Sequence, residues 1–360
     1  MYDERDVQLL DSREEIAKVD PSGMTRLVEG LPEQWLEAEA IARKAELGKL
    51  ATPERVVVLG MGGSAIGGDF LRSLLETKVK VPIFVNRSYA LPAFVDERTL
   101  VVASSYSGNT EETLIACEAA KARGAAIAAI TTGGELARRA QAEGWPLIRL
   151  PGGLPPRAAI GYSFVPLLVL MERVGVCPPV AADLAEAHRV LVSLRERYNP
   201  DVPTEKNKAK QIALAFKGKL PLIYGSEGWK GAAAYRWKTQ INENSKAPAV
   251  WNAFPELNHN ETVGWETPPE VTRSFEVVVL RDKRDLDRIQ TRIEVTTREI
   301  MEGAVSGITE LWAEGESEVA RLFSLVYPGD WVSLYLALAY RIDPTPVKMI
   351  DLLKNRLASA

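Results

Sequence analysis

Residues 56–70, VVVLGMGGSAIGGDF, form the first grouping whose types and spacing could do chemistry. Val56–Leu59 read as a buried parallel strand, and Gly60, Gly62 and Gly63 turn the chain sharply after it. Ser64 stands where a helix should start, and Gly67 and Gly68 let that helix pack closely on a neighbour. A strand, a glycine turn and a helix N-terminus together present backbone N–H groups and the positive end of a helix dipole. Such a corner suits an anion, phosphate above all. Gly60, Gly62 and Ala65 also fit G-x-G-x-x-A, the dinucleotide fingerprint. That reading wants an acid about 20 positions further on. The next strand, Pro82–Val85, ends instead in Asn86 and Arg87, which leaves only an NADP version through Arg87. A glycine turn without any ligand is the third reading.

A second stretch favours phosphate. Leu100–Ala103 is another apolar strand, followed by SSYSGNTEET at 104–113. Ser104, Ser105, Ser107, Asn109 and Thr110 crowd hydroxyls and an amide around Gly108. Glu111 and Glu112 then open a helix, as first-turn acids do. A hydroxyl-rich helix start is common by itself. A glycine turn and a serine/threonine loop, each after an apolar strand, are far more specific together.

Four single residues sit in polar segments further along. Arg157 lies in PGGLPPRAAIGYS, a Pro- and Gly-rich loop entering a helix, where composition alone suggests a solvated arginine. Glu243 lies in QINENSKAP at a helix C-terminus, where the dipole disfavours a carboxylate charge, an environment suited to a general base. His259 lies in the loop FPELNHNE, between Asn258 and Asn260, which could fix its tautomer. Lys348 lies in TPVKMIDLLK, in a first helical turn where a cation opposes the dipole. Position alone reads each of the four as surface decoration.

Together these segments resemble a known family. GMGGSAIGGDF and SYSGNTEET look like the two phosphate-handling motifs of sugar isomerase (SIS) domains, most of all those of the bifunctional phosphoglucose/phosphomannose isomerases. NENSKAP, PELNHNE and PTPVKMIDLLK match the same family, so the resemblance covers most of the chain. It implies that Gly62, Gly63, Ser64, Ser105, Ser107 and Thr110 hold the phosphate of a hexose 6-phosphate. It further implies that Glu243 is the base, that His259 and Lys348 assist ring opening, and that Arg157 faces the charge of a cis-enediolate. No cofactor and no metal are implied. The family also implies a homodimer with His259 supplied across the interface; Trp251, Phe254, Leu257 and Trp265, on or beside that loop, suit a buried surface. The alternatives are a non-catalytic SIS regulator that only binds sugar phosphate, and an isomerase acting on another phosphosugar.

Bulk properties agree with that expectation. The 360 residues carry 44 Lys+Arg against 48 Asp+Glu, a formal net charge of −4. With no basic stripe, nucleic acid is not an expected partner. No apolar run approaches about 18 residues, so no membrane span is expected. MYDERDVQLLDSREE does not read as a signal peptide, which points to the cytoplasm. Cys117 and Cys177 read as reduced core thiols. His188 and His259 are the only histidines, too few for a His-based metal site.

The elements that must position these residues alternate strand and helix, so the fold class is α/β with parallel sheets covered on both faces. Residues 24–47 read as one helix, with Asp20 and Ser22 as candidate caps. Leu220–Tyr224 followed by GSEGWKGAAAYRWKTQ faintly repeats residues 56–75. The expectation is two tandem SIS domains, each a five-stranded parallel sheet flanked by helices. The first, at 1–199, includes the N-terminal and connecting helices; the second, at 200–360, includes the C-terminal helix.

Overall fold

The structure is a computed structural model that describes residues 2–48 and 50–358. The chain divides into two compact units. One comprises Gly30–Val192 and Glu314–Ser324; the other comprises the segment up to Glu29, Ser193–Ala313 and the chain from Leu325 onward.

The first unit is built on five parallel strands, β1 (Arg55–Leu59), β2 (Ile83–Asn86), β3 (Thr99–Ser104), β4 (Ala126–Thr131) and β5 (Leu147–Arg149), in the order β2-β1-β3-β4-β5. Val56–Leu59, Leu100–Ala103 and Ile127–Ile130 are all buried. Continuous apolar runs of this kind are what a sheet covered on both faces requires. The helix Gly62–Leu75 follows β1. A Cβ on Gly67 would lie 2.5 Å from the Ser163 carbonyl of the helix Ile160–Arg173, and one on Gly68 would press on Val58 and Val85. The two glycines therefore give this helix a close approach to a neighbouring helix and to the sheet, as the sequence predicts. Trp35, Phe70, Phe164 and Phe323 form an aromatic core, with ring centroids 4.5–6.2 Å apart. The chain leaves β1 to one side for β2 and later returns to the other side for β3. The carboxyl ends of β1 and β3 therefore flank the crevice where α/β sheets bind ligands.

The second unit has β6 (Leu220–Ser226), β7 (Val250–Phe254), β8 (Phe275–Arg281) and β9 (Gly307–Trp312), all parallel, in the order β7-β6-β8-β9. This is the order of β2-β1-β3-β4, as an internal repeat predicts. Among the described residues the expected fifth strand is not formed. After β9 the chain enters the helix Glu318–Ala339 and then the helix Lys348–Ala358, so no described segment follows β9 onto the sheet edge.

The helix Glu318–Ala339 is long and apolar enough to cross a membrane, although no unbroken apolar run signals it, because Arg321, Pro328 and Asp330 interrupt it. Its apolar stretch is fully buried, as in the core helix of a globular protein. The expected helix over 24–47 is two helices, Met24–Glu29 and Leu31–Lys44, with Gly30 between them and Pro32 in the first turn of the second. Asp20 caps the first through the N–H groups of Met24 and Thr25. Side chains also explain why the N-terminal segment groups with the later half. Lys217 pairs with Asp6 at 2.6 Å, the fully buried Lys210 with Asp11 at 2.9 Å, and the Tyr327 hydroxyl donates to the Val28 carbonyl.

Candidate active site

In the first unit the glycine turn and the hydroxyl loop form one connected structure. Gly62 has φ +50°, a left-handed conformation that suits glycine. A Cβ on Gly63 would lie 2.7 Å from the Pro156 carbonyl, so the turn rests directly on the short helix Pro156–Ala158 that holds Arg157. Ser64 is buried, and its Oγ accepts the Tyr106 N–H at 3.2 Å. Ser105 Oγ and Thr110 Oγ1 are 2.8 Å apart, and Ser105 Oγ also accepts the Gly108 N–H. Gly108 has φ +72°, and a Cβ there would overlap the Gly133 carbonyl. Thr110 is the N-cap of the helix Glu111–Ala122, but its hydroxyl makes no capping bond. Ser107 is exposed and accepts the Asn109 N–H.

Arg157 is not the solvated loop residue that composition suggests: it is 3% exposed. Its turn is pinned from two sides. The buried Gln34 donates through Nε2 to the Ala158 carbonyl and accepts the Gly161 and Tyr162 N–H groups through Oε1. Tyr106 donates its hydroxyl to the Pro151 carbonyl at 2.9 Å and accepts the Leu154 N–H. Burial pushes the Tyr106 phenol up from its ordinary value. Gln34 and Tyr106 escape a sequence reading. Gln34 lies 124 residues from its partner, and Tyr106 stands inside the hydroxyl motif without a hydroxyl's obvious role. Arg87, which the NADP reading needs, forms an ion pair with Asp69.

In the second unit the helix Trp229–Gln240 continues into a π-helical turn, Ile241–Ser245, that carries Glu243. Nothing in QINENS marks this irregular turn. It is bolted to the helix Glu318–Ala339. Arg236 pairs with the buried Asp330 through two bonds of 3.1 and 2.9 Å, and Gln240 donates to the same carboxylate at 2.8 Å. Burial raises the Asp330 pKa, and Arg236 opposes that shift. Asn244 and Ser245 both donate to Ser333, the first to its hydroxyl and the second to its carbonyl. Glu243 is left half-buried on the wall of a cavity of about 720 Å³. Asn242, Lys246, Val347 and Lys348 line the same cavity. The structure thus brings Glu243 and Lys348 together.

His259 does not join them. It is exposed, at the end of the short helix Glu256–His259, and is not among the residues lining that cavity. The flanking asparagines do not fix its ring. Asn258 donates to Thr296 and Thr262, and Asn260 donates to Glu256, so both hold the loop itself. Glu261 ties the loop to the sheet through Tyr224 and Asn252. Of the four expected interface residues, Phe254 and Leu257 are fully buried in their own unit and Trp265 packs on Phe275. Only Trp251 remains exposed, with Tyr235 beside it.

Comparison with known proteins gives the following. A profile described as bacterial phospho-glucose isomerase C-terminal SIS domain matches residues 205–357, and a SIS domain profile matches residues 49–143. A bifunctional phosphoglucose/phosphomannose isomerase of Caldicellulosiruptor bescii is 52% identical over 93% of this chain and 99% of its own length. A D-glucosamine-6-phosphate 4-epimerase of Sulfolobus acidocaldarius is 33% identical over 70% of this chain and 77% of its own. A crystal structure of a hypothetical protein from Thermus thermophilus shares the fold, with a TM-score of 0.73 at 16% identity over 99% of this chain and 94% of that one.

Proposed function

The chain belongs to the family of bifunctional phosphoglucose/phosphomannose isomerases, and from that premise we propose that it interconverts glucose 6-phosphate and mannose 6-phosphate with fructose 6-phosphate. The observation that carries the reading is that a carboxylate, Glu243, and an ammonium, Lys348, line the same cavity. Carbon oxidation levels change places between C1 and C2 of a single molecule, so the chemistry calls for no external redox partner. The phosphate is held by Ser64, Ser105, Ser107 and Thr110 with the backbone of Gly62 and Gly63. Lys348 and His259 move a proton to and from the ring oxygen. Glu243 takes the C2 proton and returns it to C1 through a cis-enediolate, and Arg157 balances the charge that develops there. A positioned base gives about 10²–10⁴ in rate. Preorganised charge and orientation supply the rest. Glucose and mannose 6-phosphates lead to the same enediolate, so one site serves both once the C2–C3 bond can turn.

The assembly belonging to this reading is a homodimer in which each cavity receives the partner subunit's His259. His259 is exposed and absent from its own chain's cavity, as this arrangement requires. The helix Lys348–Ala358 exposes Met349, Leu353 and Leu357, and the edge strand β7 exposes Val250 and Trp251, so apolar surface is present for a second copy. The two repeats divide at 1–199 and 200–360, and a cytoplasmic setting suits phosphorylated sugars.

A coupled assay tests the function. Purified protein should convert both sugars with or without chelator, and inorganic phosphate should compete with them. Turnover of neither sugar would overturn the isomerase reading.

A further inference from the structure

We propose that Lys246 is a positioning residue that holds the Glu243 carboxylate in register with the Lys348 segment; the inference rests on the assignment of Glu243 as base. Lys246 has φ +55°, one of two non-glycine residues with positive φ among the described residues. Long side chains rarely adopt this conformation, and it persists where the surroundings over-determine it. Here the left-handed backbone lets the side chain fold back on its own helix. Its Nζ donates to the Glu243 carbonyl at 2.6 Å, the Asn244 carbonyl at 3.3 Å and the Pro344 carbonyl at 2.8 Å. An ammonium has three donors, and these three contacts match them.

The acceptors explain the purpose. The Glu243 and Asn244 carbonyls lie in the last turn of the helix, where carbonyls point beyond the helix end. A cation at that end also offsets the negative pole of the dipole. A glycine or asparagine would satisfy the backbone conformation more cheaply, but neither could reach Pro344. That third bond makes Lys246 more than a cap. Pro344 is buried and lies four residues before Lys348, so the ammonium joins the backbone under the base to the segment bearing the ring-opening lysine. On its other side the π-turn is fixed by Asn244 and Ser245 on Ser333. Glu243 is thus held between a buried anchor and a charged clamp, and Lys246 itself lines the cavity that both catalytic side chains face.

The test separates positioning from mere stabilisation through a kinetic isotope effect, which does not depend on the fraction of protein that is active. Full-length Lys246→Met, Lys246→Arg and Glu243→Gln are compared with wild type on glucose 6-phosphate and its C2-deuterated form. Lys246→Met should lower kcat by about 10–100-fold, as a misplacement of about 1 Å does. Its deuterium isotope effect on kcat should rise above the wild-type value, because proton transfer has become the slower step, while KM changes little. Lys246→Arg should restore most of kcat and the wild-type isotope effect. If Lys246→Met does not fold, Lys246→Gln, with two donors for three carbonyls, carries the same expectation. A wild-type isotope effect in the Met or Gln variant, with Glu243→Gln inactive, overturns the positioning role alone. An active Glu243→Gln overturns the base assignment and the inference with it.

Discussion

Tyr106 shows how much of the site depends on residues without a reactive group. Its backbone N–H reaches Ser64 Oγ, its carbonyl accepts from Thr132, and its hydroxyl bridges Pro151 and Leu154 in the loop leading to Arg157. Tyr106→Phe keeps the ring but leaves a part-buried carbonyl and N–H without that partner, at a cost of about 1–3 kcal/mol. The expected outcome is a thermal midpoint lower by a few degrees and a kcat loss larger than the KM change, read by calorimetry and steady-state kinetics. A raised KM at unchanged kcat would instead place Tyr106 in uniform phosphate binding. At this scale the sequence was legible where a side chain works through its own type, as in the serines and threonines of the cradle. Composition alone misleads on the burial of Arg157, and spacing alone on the asparagines beside His259. Gln34, which holds the Arg157 turn through the Ala158 carbonyl, is remote in the chain, and an asparagine's choice of bond depends on a fold that local spacing does not contain.

Apolar runs and glycines made the elements readable. The strand order in the two sheets follows from the repeat, and the close approach of Gly67 and Gly68 follows from the absence of side chains. Gly67→Ala places a methyl 2.5 Å from the Ser163 carbonyl and should destabilise the protein by about 1–3 kcal/mol, seen as a lower urea midpoint. Gly264→Ala is the control: nothing lies within 4 Å of its Cβ position, and its midpoint should stay close to wild type. Two features were not readable. The second sheet stops at four strands because the remaining chain is taken up by helices, and the π-turn carrying Glu243 is set by bonds to Asp330 and Ser333 some 90 residues away. Local propensity does not contain either constraint.

For the whole molecule, the prediction concerns the shared histidine. Glu243→Gln and His259→Ala should each be nearly inactive as homodimers. Unfolded together and refolded, half of the dimers are mixed, and each of these holds one site with both native groups. Activity should recover to roughly a quarter of wild type for random twofold reassortment. A mixture as inactive as its parents, with mixed dimers shown to form, would mean that His259 does not act across the interface.

The central claim is proton transfer between C1 and C2 of a hexose 6-phosphate, and the most direct measurement follows fructose 6-phosphate with the enzyme in heavy water by nuclear magnetic resonance. The account predicts that glucose 6-phosphate and mannose 6-phosphate both accumulate, with deuterium entering only at C1 and C2. Failure of either aldose to form, or a change of configuration or label at C4, would contradict it.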